Sequence, residues 1–289
     1  MTQFSLYRPS SLDDALSFLS SHPREVKPIA GGTDLLVAAR QEAPNWTWAL
    51  DLSGLGEIRG IRRDGMSVCI GAGTTHAEIS ESTLIAETAP FLASAVRTIG
   101  SAQIRNRATI GGNIMNASPA ADSIPPLVAL DAVAAIGSVR GVRTVELGEL
   151  ITGPYSTAVA FDELLLDVRF RPIPPGARSE FIKLGRRRAM AISRLSVAAM
   201  LAVDDNGLIM DARVSAGAAF PTPCRIREAE AVLGGRQYRP ELAAEAGKAA
   251  GDAMVRASGI RWSTDYKLPV LGALVARAIR RCAGEESWE

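Results

Sequence analysis

Ala30-Gly31-Gly32-Thr33-Asp34-Leu35-Leu36 and Thr109-Ile110-Gly111-Gly112-Asn113-Ile114 are the two stretches on which the reading of this chain turns. Each follows an apolar or β-prone segment and sets two residues without Cβ beside small hydroxyl or amide side chains. Paired glycines let backbone N–H groups turn outward and let a ligand come close, and concavities lined by N–H groups bind phosphates. The Thr33 and Thr109 hydroxyls and the Asn113 amide add donors at the same surface. Two such loops suit a ligand with two adjacent phosphates, a dinucleotide. The chain has no Gly-x-x-x-x-Gly-Lys-Ser/Thr loop, and Gly71-Ala72-Gly73-Thr74-Thr75-His76 ends on the wrong residue for a Gly-x-Gly-x-x-Gly fingerprint. A dinucleotide would therefore bind outside the P-loop and Rossmann solutions. The plain alternative is that either pair is only a turn, in a chain with 26 glycines.

Ser11 precedes apolar residues at 12, 15, 16 and 19, which predicts an amphipathic helix with a Ser cap and an acidic first turn. Val26 to Ala30 reads as a short buried strand feeding the first pair, and Asp34 to Gln41 as the helix after it. Trp48 to Leu52, Ile58 to Ile61 and Met66 to Gly71 read as strands parted by Gly/Asp turns. Helices are expected over His76 to Ser80 and Pro90 to Ile99, with a helical turn from Ile124 to Leu130. Val133 to Ile136 and Val142 to Val145 suggest a hairpin, and Leu164 to Arg171 a further strand.

Pro172-Ile173-Pro174-Pro175-Gly176 is the best linker, because prolines break strands and helices alike. Beyond it, Arg178 to Gly185 and Leu195 to Asp204 resemble strands or a strand–helix pair. Asp205-Asn206-Gly207 predicts a hairpin turn before Leu208 to Gly217. Helical patterns then cover Arg227 to Leu233, Pro240 to Ala257 and Lys267 to Cys282. The fold class is α+β.

Bulk properties narrow the function. At 289 residues the chain buries a sizeable core, and its 47% hydrophobic and 22% charged content is that of an ordinary globular protein. A net charge of +1 gives no argument for nucleic acid or an anionic membrane. No apolar run approaches the roughly 20 residues that span a bilayer. The opening Met1-Thr2-Gln3-Phe4 carries no export signal, so a cytoplasmic location is expected. Cys69, Cys224 and Cys282 are scattered and read as small apolar residues. With His22 and His76 they are too few and too far apart for an iron–sulfur or metal site.

The chain resembles the flavin-binding medium subunit of the molybdenum hydroxylases, the family of xanthine dehydrogenase and aerobic carbon monoxide dehydrogenase. The likeness runs over essentially the whole length. Its blocks are Phe4-Ser5-Leu6-Tyr7-Arg8-Pro9 with Ser11-Leu12-Asp13-Asp14-Ala15, then Ala30 to Leu36, Ile70 to Thr75, and Gln103-Ile104-Arg105-Asn106-Arg107-Ala108 running into the second glycine pair. Asn116-Ala117-Ser118-Pro119-Ala120-Ala121-Asp122 and Phe181-Ile182-Lys183-Leu184-Gly185-Arg186-Arg187-Arg188 complete it.

The resemblance implies an FAD-binding domain of the vanillyl-alcohol oxidase/p-cresol methylhydroxylase type over residues 1–173, in lobes of about 1–55 and 56–173. It also implies a C-terminal domain of the carbon monoxide dehydrogenase flavoprotein type over 177–285. It assigns Ala30, Gly31, Gly32, Thr33, Asp34 and Leu35 to one side of the FAD pyrophosphate, and Thr109, Gly111, Gly112 and Asn113 to the other. Asn116 and Asp122 fall on the sugar side, where Asn116 replaces a residue that is often Thr. Ile99 and Leu165 match apolar flavin contacts, and Lys183 matches a lysine beside the flavin ring. No catalytic residue and no metal ligand is assigned to this chain.

Some relatives carry an iron–sulfur cluster in an inserted loop, for which this chain lacks the cysteines. Arg186, Arg187 and Arg188 fall in a segment that gates acceptor access in the xanthine dehydrogenase branch, or else form a solvated basic turn. Ala189-Met190-Ala191 stands where xanthine dehydrogenases have an acidic residue, which removes the argument for NAD as acceptor.

The implied partners are a molybdopterin-binding large subunit and a small subunit with two [2Fe–2S] clusters, in a dimer of heterotrimers. The implied function is electron transfer from those clusters to an external acceptor. Two alternatives are a self-contained reductase or oxidase of the same fold and a subunit that has lost FAD and acts as a scaffold. The first needs a general acid or cysteine near the flavin, and the sequence points to none. Intact glycine pairs and Asp122 speak against the second.

Overall fold

The computed structural model describes residues 4–43, 45–187 and 189–285. Its first lobe is a three-stranded parallel sheet in the order Ser5–Tyr7, Trp48–Asp51, Val26–Ile29. Helix Leu12–Ser21 covers it, and the Ser11 hydroxyl accepts from the Asp14 N–H at 3.1 Å. Its apolar stripe buries Ala15, Leu16 and Leu19 against Val26, Leu50, Leu55 and Ile58, as the 3.6-residue period requires. The strand before the first glycine pair is not buried as expected. Trp48–Asp51 takes the centre of the sheet, so Val26–Ile29 lies at its edge with only Val26 buried.

The second lobe is a five-stranded antiparallel sheet in the order Ile61–Asp64, Ser67–Gly71, Leu164–Phe170, Val133–Ser138, Gly141–Glu146. The largest apolar core lies on it, around Phe91, Leu92, Ile110, Ile114 and Leu127. Two local readings change. Residues 58–61 do not form one strand: Gly56–Ile58 is a 3-10 turn and the strand starts at Ile61. There the Ile58 carbonyl accepts from the Gly73 N–H at 2.7 Å and lies where a Cβ on Gly71 would fall, so this stretch is pinned between the lobes. A further helix, Thr83–Thr88, is capped by the Ser82 hydroxyl on the Ile85 N–H at 3.3 Å.

The third unit is an antiparallel meander of Arg178–Gly185, Ser193–Val203 and Ile209–Gly217, covered by helices Pro240–Ser258 and Thr264–Ala283. The doubt over a strand–helix pair is resolved in favour of strands. Period-two alternation divides these strands between two cores. Ile182, Val197, Ala199 and Leu201 face the C-terminal helices, while Phe181, Ala198 and Met200 join the core of the second lobe. The meander is thus a shared wall. Cys69 and Cys282 are buried and Cys224 is half-buried, which agrees with their reading as small apolar residues.

The two long C-terminal helices cross with main chain almost touching: a Cβ on Gly247 would lie 2.3 Å from the Gly272 carbonyl oxygen. Gly247→Ala should force them apart at a cost of about 1–3 kcal/mol. Thermal melts should then show a midpoint lower by several degrees, at about 2–4 °C per kcal/mol for a chain of this size. Gly54→Ala, where a Cβ meets nothing within 4 Å, should leave the midpoint in place.

Candidate functional site

A cleft of about 1470 Å³ opens between the two lobes and the meander. It exceeds the roughly 300–1,000 Å³ of most small-ligand pockets and suits an extended ligand. Every residue that the resemblance assigned to the cofactor lies on its wall. The two glycine pairs reach it by different means.

Leaving the edge strand Val26–Ile29, the chain turns at Gly32, whose φ of +70° favours glycine, and enters helix Leu35–Gln41 with no side-chain cap. Among the described residues the main-chain N–H groups of Gly31, Gly32, Thr33 and Asp34 donate to no protein acceptor. Gly31 lies flat on the other lobe, where a Cβ would fall 2.0 Å from the Arg107 carbonyl oxygen.

The second pair is not a loop but the first turn of helix Ile110–Asn116. Its N–H groups are already used: Ile110 donates to the Thr74 carbonyl, Gly111 to the Ala72 carbonyl, Gly112 to Thr109 Oγ1 and Asn113 to the Thr109 carbonyl, all at 2.9–3.0 Å. The expectation that this pair turns N–H groups outward is therefore corrected. The Thr109 hydroxyl caps the helix as an acceptor, which leaves its own O–H free to donate. Gly111 is needed for packing, since a Cβ there would lie 2.6 Å from the Ala72 Cβ. Gly112 alone opens to the cleft, a Cβ meeting only Thr109 Oγ1 at 3.1 Å. Asn113 Oδ1 accepts from Ser123 Oγ at 2.7 Å, which leaves its amide N–H groups free to donate.

Asp122 and Lys183, expected as separate contacts, form one buried pair. Lys183 Nζ donates to Asp122 Oδ2 at 2.6 Å and to the Thr98 carbonyl at 3.0 Å, while Ser193 Oγ donates to Asp122 Oδ1 at 2.5 Å. The side chains are 4% and 13% exposed, so the lysine is no solvated strand end. Burial pushes the Asp122 carboxyl above the ordinary carboxylate range, and the Lys183 ammonium pulls against it. The pair joins the second lobe to the meander at the back of the cleft. Nearby, Leu165 is buried and Ile99 half-buried, and both present apolar surface. Asn116 completes this wall at the end of its helix.

Three further features escaped the sequence. Ser193 supports Asp122 from 71 residues away, with no local signal. Trp262 and Ile192 border the cleft at 98% and 82% exposed, and Arg194 lies 5.5 Å over the Tyr266 ring. His76, fully buried, borders the cleft with neither ring nitrogen paired. Burial, reinforced by the Arg105 charge, pulls it from its ordinary 6.5 to about 4. Of the basic run, Arg186 lines the cleft and Arg187 donates to the Met190 carbonyl at 2.7 Å, closing its own loop. Arg188 lies outside the described residues.

Two outcomes follow from these environments. Lys183→Met strands a buried carboxylate and should cost about 3–5 kcal/mol in urea unfolding, while the Asp122→Asn/Lys183→Met double variant should cost less than the sum of the singles. Between pH 6.5 and 4 the unfolded chain binds a proton that folded His76 refuses, so stability should fall with pH through that window. His76→Leu should flatten this slope in melts recorded across the same range.

Comparison with known proteins gives the family. Residues 2–173 match the model described as FAD binding domain in molybdopterin dehydrogenase, and residues 180–282 match the CO dehydrogenase flavoprotein C-terminal domain. The xanthine dehydrogenase FAD-binding subunit of Escherichia coli O157:H7 is 38% identical over 229 residues, 78% of this chain and 77% of that one. The nicotine 6-hydroxylase medium subunit of Paenarthrobacter nicotinovorans is 34% identical over 94% of each chain. The reconstituted CO dehydrogenase from Oligotropha carboxidovorans superposes with a TM-score of 0.91 at 27% identity, covering 98% of this chain and 99% of that one. With two matched domains, full-length likeness and the expected cleft, this chain belongs to the FAD-binding oxidoreductase subunits of the molybdenum hydroxylase family, that of the xanthine and carbon monoxide dehydrogenases.

Proposed function

We propose that this chain is the electron-transfer subunit of a heteromeric molybdenum hydroxylase. In this reading it takes electrons from two [2Fe–2S] clusters of a small subunit and passes them to an external acceptor. A molybdopterin-binding large subunit carries out hydroxylation, in a cytoplasmic dimer of heterotrimers. Relatives named as medium subunits support the assembly. Among the described residues no helix is long and apolar enough to cross a membrane.

The observation that carries the cofactor's place is the row of unpaired N–H groups from Gly31 to Asp34 on the cleft wall. A row of outward N–H groups is the donor set a pyrophosphate needs. Gly112 lets the ligand approach the opposite wall, and the Asn113 and Asn116 amides would donate to its oxygens. Ile99 and Leu165 would pack on the ring system. The Asp122–Lys183 pair would face the sugar alcohol and the ring edge, supplying an acceptor and a cation together. Bound FAD supplies the redox chemistry, accepting and releasing electrons at its ring.

His76 does not favour a self-contained enzyme. Held neutral and out of water, it is a poor base at neutral pH. The test is purification with co-purifying partners, followed by a visible spectrum and metal analysis. Flavin on this chain, with iron and molybdenum only in tightly bound partners, is the expected outcome; a yellow protein without partners or metals would overturn the assembly. Gly112→Val should lower FAD content with the fold kept, whereas Gly111→Val should damage the fold itself, as judged by circular dichroism beside flavin absorbance.

A further inference from the structure

Tyr155 stands where a glycine would suit the backbone. It follows Pro154 in the tight turn between the short strands Ile151–Gly153 and Ser156–Thr157, and its φ is +58°. Proline at the second place of a turn and a positive φ at the third is the pattern of a type II turn, where glycine or asparagine is at ease and a bulky side chain is strained. Packing does not offset the strain, because Tyr155 is 69% exposed. Its hydroxyl has no hydrogen-bond partner among the described residues. It does line the cleft. A strained, exposed aromatic on a cleft wall is explained by what it meets there.

Hydrogen bonds fix which end of the cleft this is. The Tyr155 N–H donates to the Ala117 carbonyl at 2.9 Å, just past helix Ile110–Asn116. Two residues on, the Pro119 carbonyl accepts from the Ala218 N–H at 2.9 Å, and the Ala218 carbonyl accepts from Lys267 Nζ at 2.6 Å. Tyr266, next to that lysine, lies under Arg194, and Ser193, between Arg194 and Ile192, holds Asp122. Tyr155, Ile192, Trp262 and Tyr266 are all exposed cleft-lining residues. They therefore gather at the end that holds the Asp122–Lys183 pair, where the flavin ring is read to lie.

Three aromatic side chains and one aliphatic one, open to solvent, are a surface that a flat apolar molecule would cover. Both partners then lose area from water, and the rings gain offset stacking. The polar groups among them are scattered donors: the Tyr155 hydroxyl, Arg186, and a Lys267 ammonium that gives one hydrogen to Ala218. Scattered donors suit ketone oxygens on a ring, whereas a pyrophosphate takes a row of N–H groups such as that from Gly31 to Asp34.

We propose that this end of the cleft binds a quinone as the external electron acceptor, with Tyr155 and Trp262 as stacking walls. The inference rests on the electron-transfer reading of the chain and names its acceptor by chemical class. The transfer balances: two electrons and two protons leave reduced FAD, which returns to its oxidised form, and convert the quinone to a quinol.

The protein, purified with its partners, is tested with duroquinone in two ways. Equilibrium dialysis against the oxidised protein gives the dissociation constant, and stopped-flow mixing with the dithionite-reduced protein follows the return of flavin absorbance. Tyr155→Gly and Trp262→Ala should each weaken duroquinone binding about tenfold and raise the half-saturating concentration for reoxidation to match, with flavin content kept. Tyr155→Gly should melt no lower than wild type, because glycine accepts the left-handed turn. Unchanged duroquinone affinity in Tyr155→Gly, a reoxidation rate that never saturates, or reoxidation by NAD and not by duroquinone would overturn the proposal while leaving the flavin reading intact. A wild-type protein without flavin would overturn both. Should Trp262→Ala not fold, Tyr155→Gly decides alone.

Discussion

Between Gly31 and the Arg107 carbonyl there is no room for one methyl group, and the architecture of the cleft depends on that contact. It brings an edge strand of the first lobe onto main chain of the second, with nothing flexible in between. Main chain against main chain cannot relax by changing rotamers, so the spacing of the two walls is set by backbone geometry. The same device recurs where Gly111 meets Ala72 and Gly71 meets Ile58. These glycines give the cleft rigidity, while Gly32 and Gly112 give it access. A ligand entering such a cleft meets surfaces that are already in position, which reduces the ordering cost of binding.

The Asp122–Lys183 pair plays the complementary part at the back of the cleft. Taking both charges out of water is expensive, and the geometry offsets it with a short ion pair, the Ser193 hydroxyl and the Thr98 carbonyl. Lys183 and Ser193 belong to the meander, Asp122 and Thr98 to the second lobe. A cation and an acceptor are thereby presented together in one fixed arrangement. Neither side chain is free to serve the ligand independently.

Much of this was legible. The Ser11 cap, the apolar period of the helix after it, the Asn206–Gly207 turn and the C-terminal helices are local signals, and the structure follows them closely. The glycine pairs marked the cleft correctly, yet identical dipeptides hid opposite uses. Whether an N–H is free depends on a carbonyl supplied from elsewhere, here by Thr74 and Ala72. The same limit explains Val26–Ile29, whose edge position follows from a strand that comes later. It also explains Ser193, which finds Asp122 across 71 residues. Trp262 belongs to no motif in the sequence and stands almost wholly in solvent. His76 was visible as the residue that spoiled a fingerprint, but only its surroundings reveal an imidazole without a partner.

The shared meander bears on how such chains can be recombined in evolution. Two domain families meet between residues 173 and 180, which suggests modules joined at a seam. Packing does not respect that seam, because Phe181, Ala198 and Met200 complete the core of the preceding domain, on which helices Pro90–Arg97 and Ile124–Ala129 close. A C-terminal half borrowed from a relative would bring its own side chains into a foreign interior. Exchange between lineages is therefore constrained to halves whose facing residues have changed in step, and the two domains travel as an inherited pair.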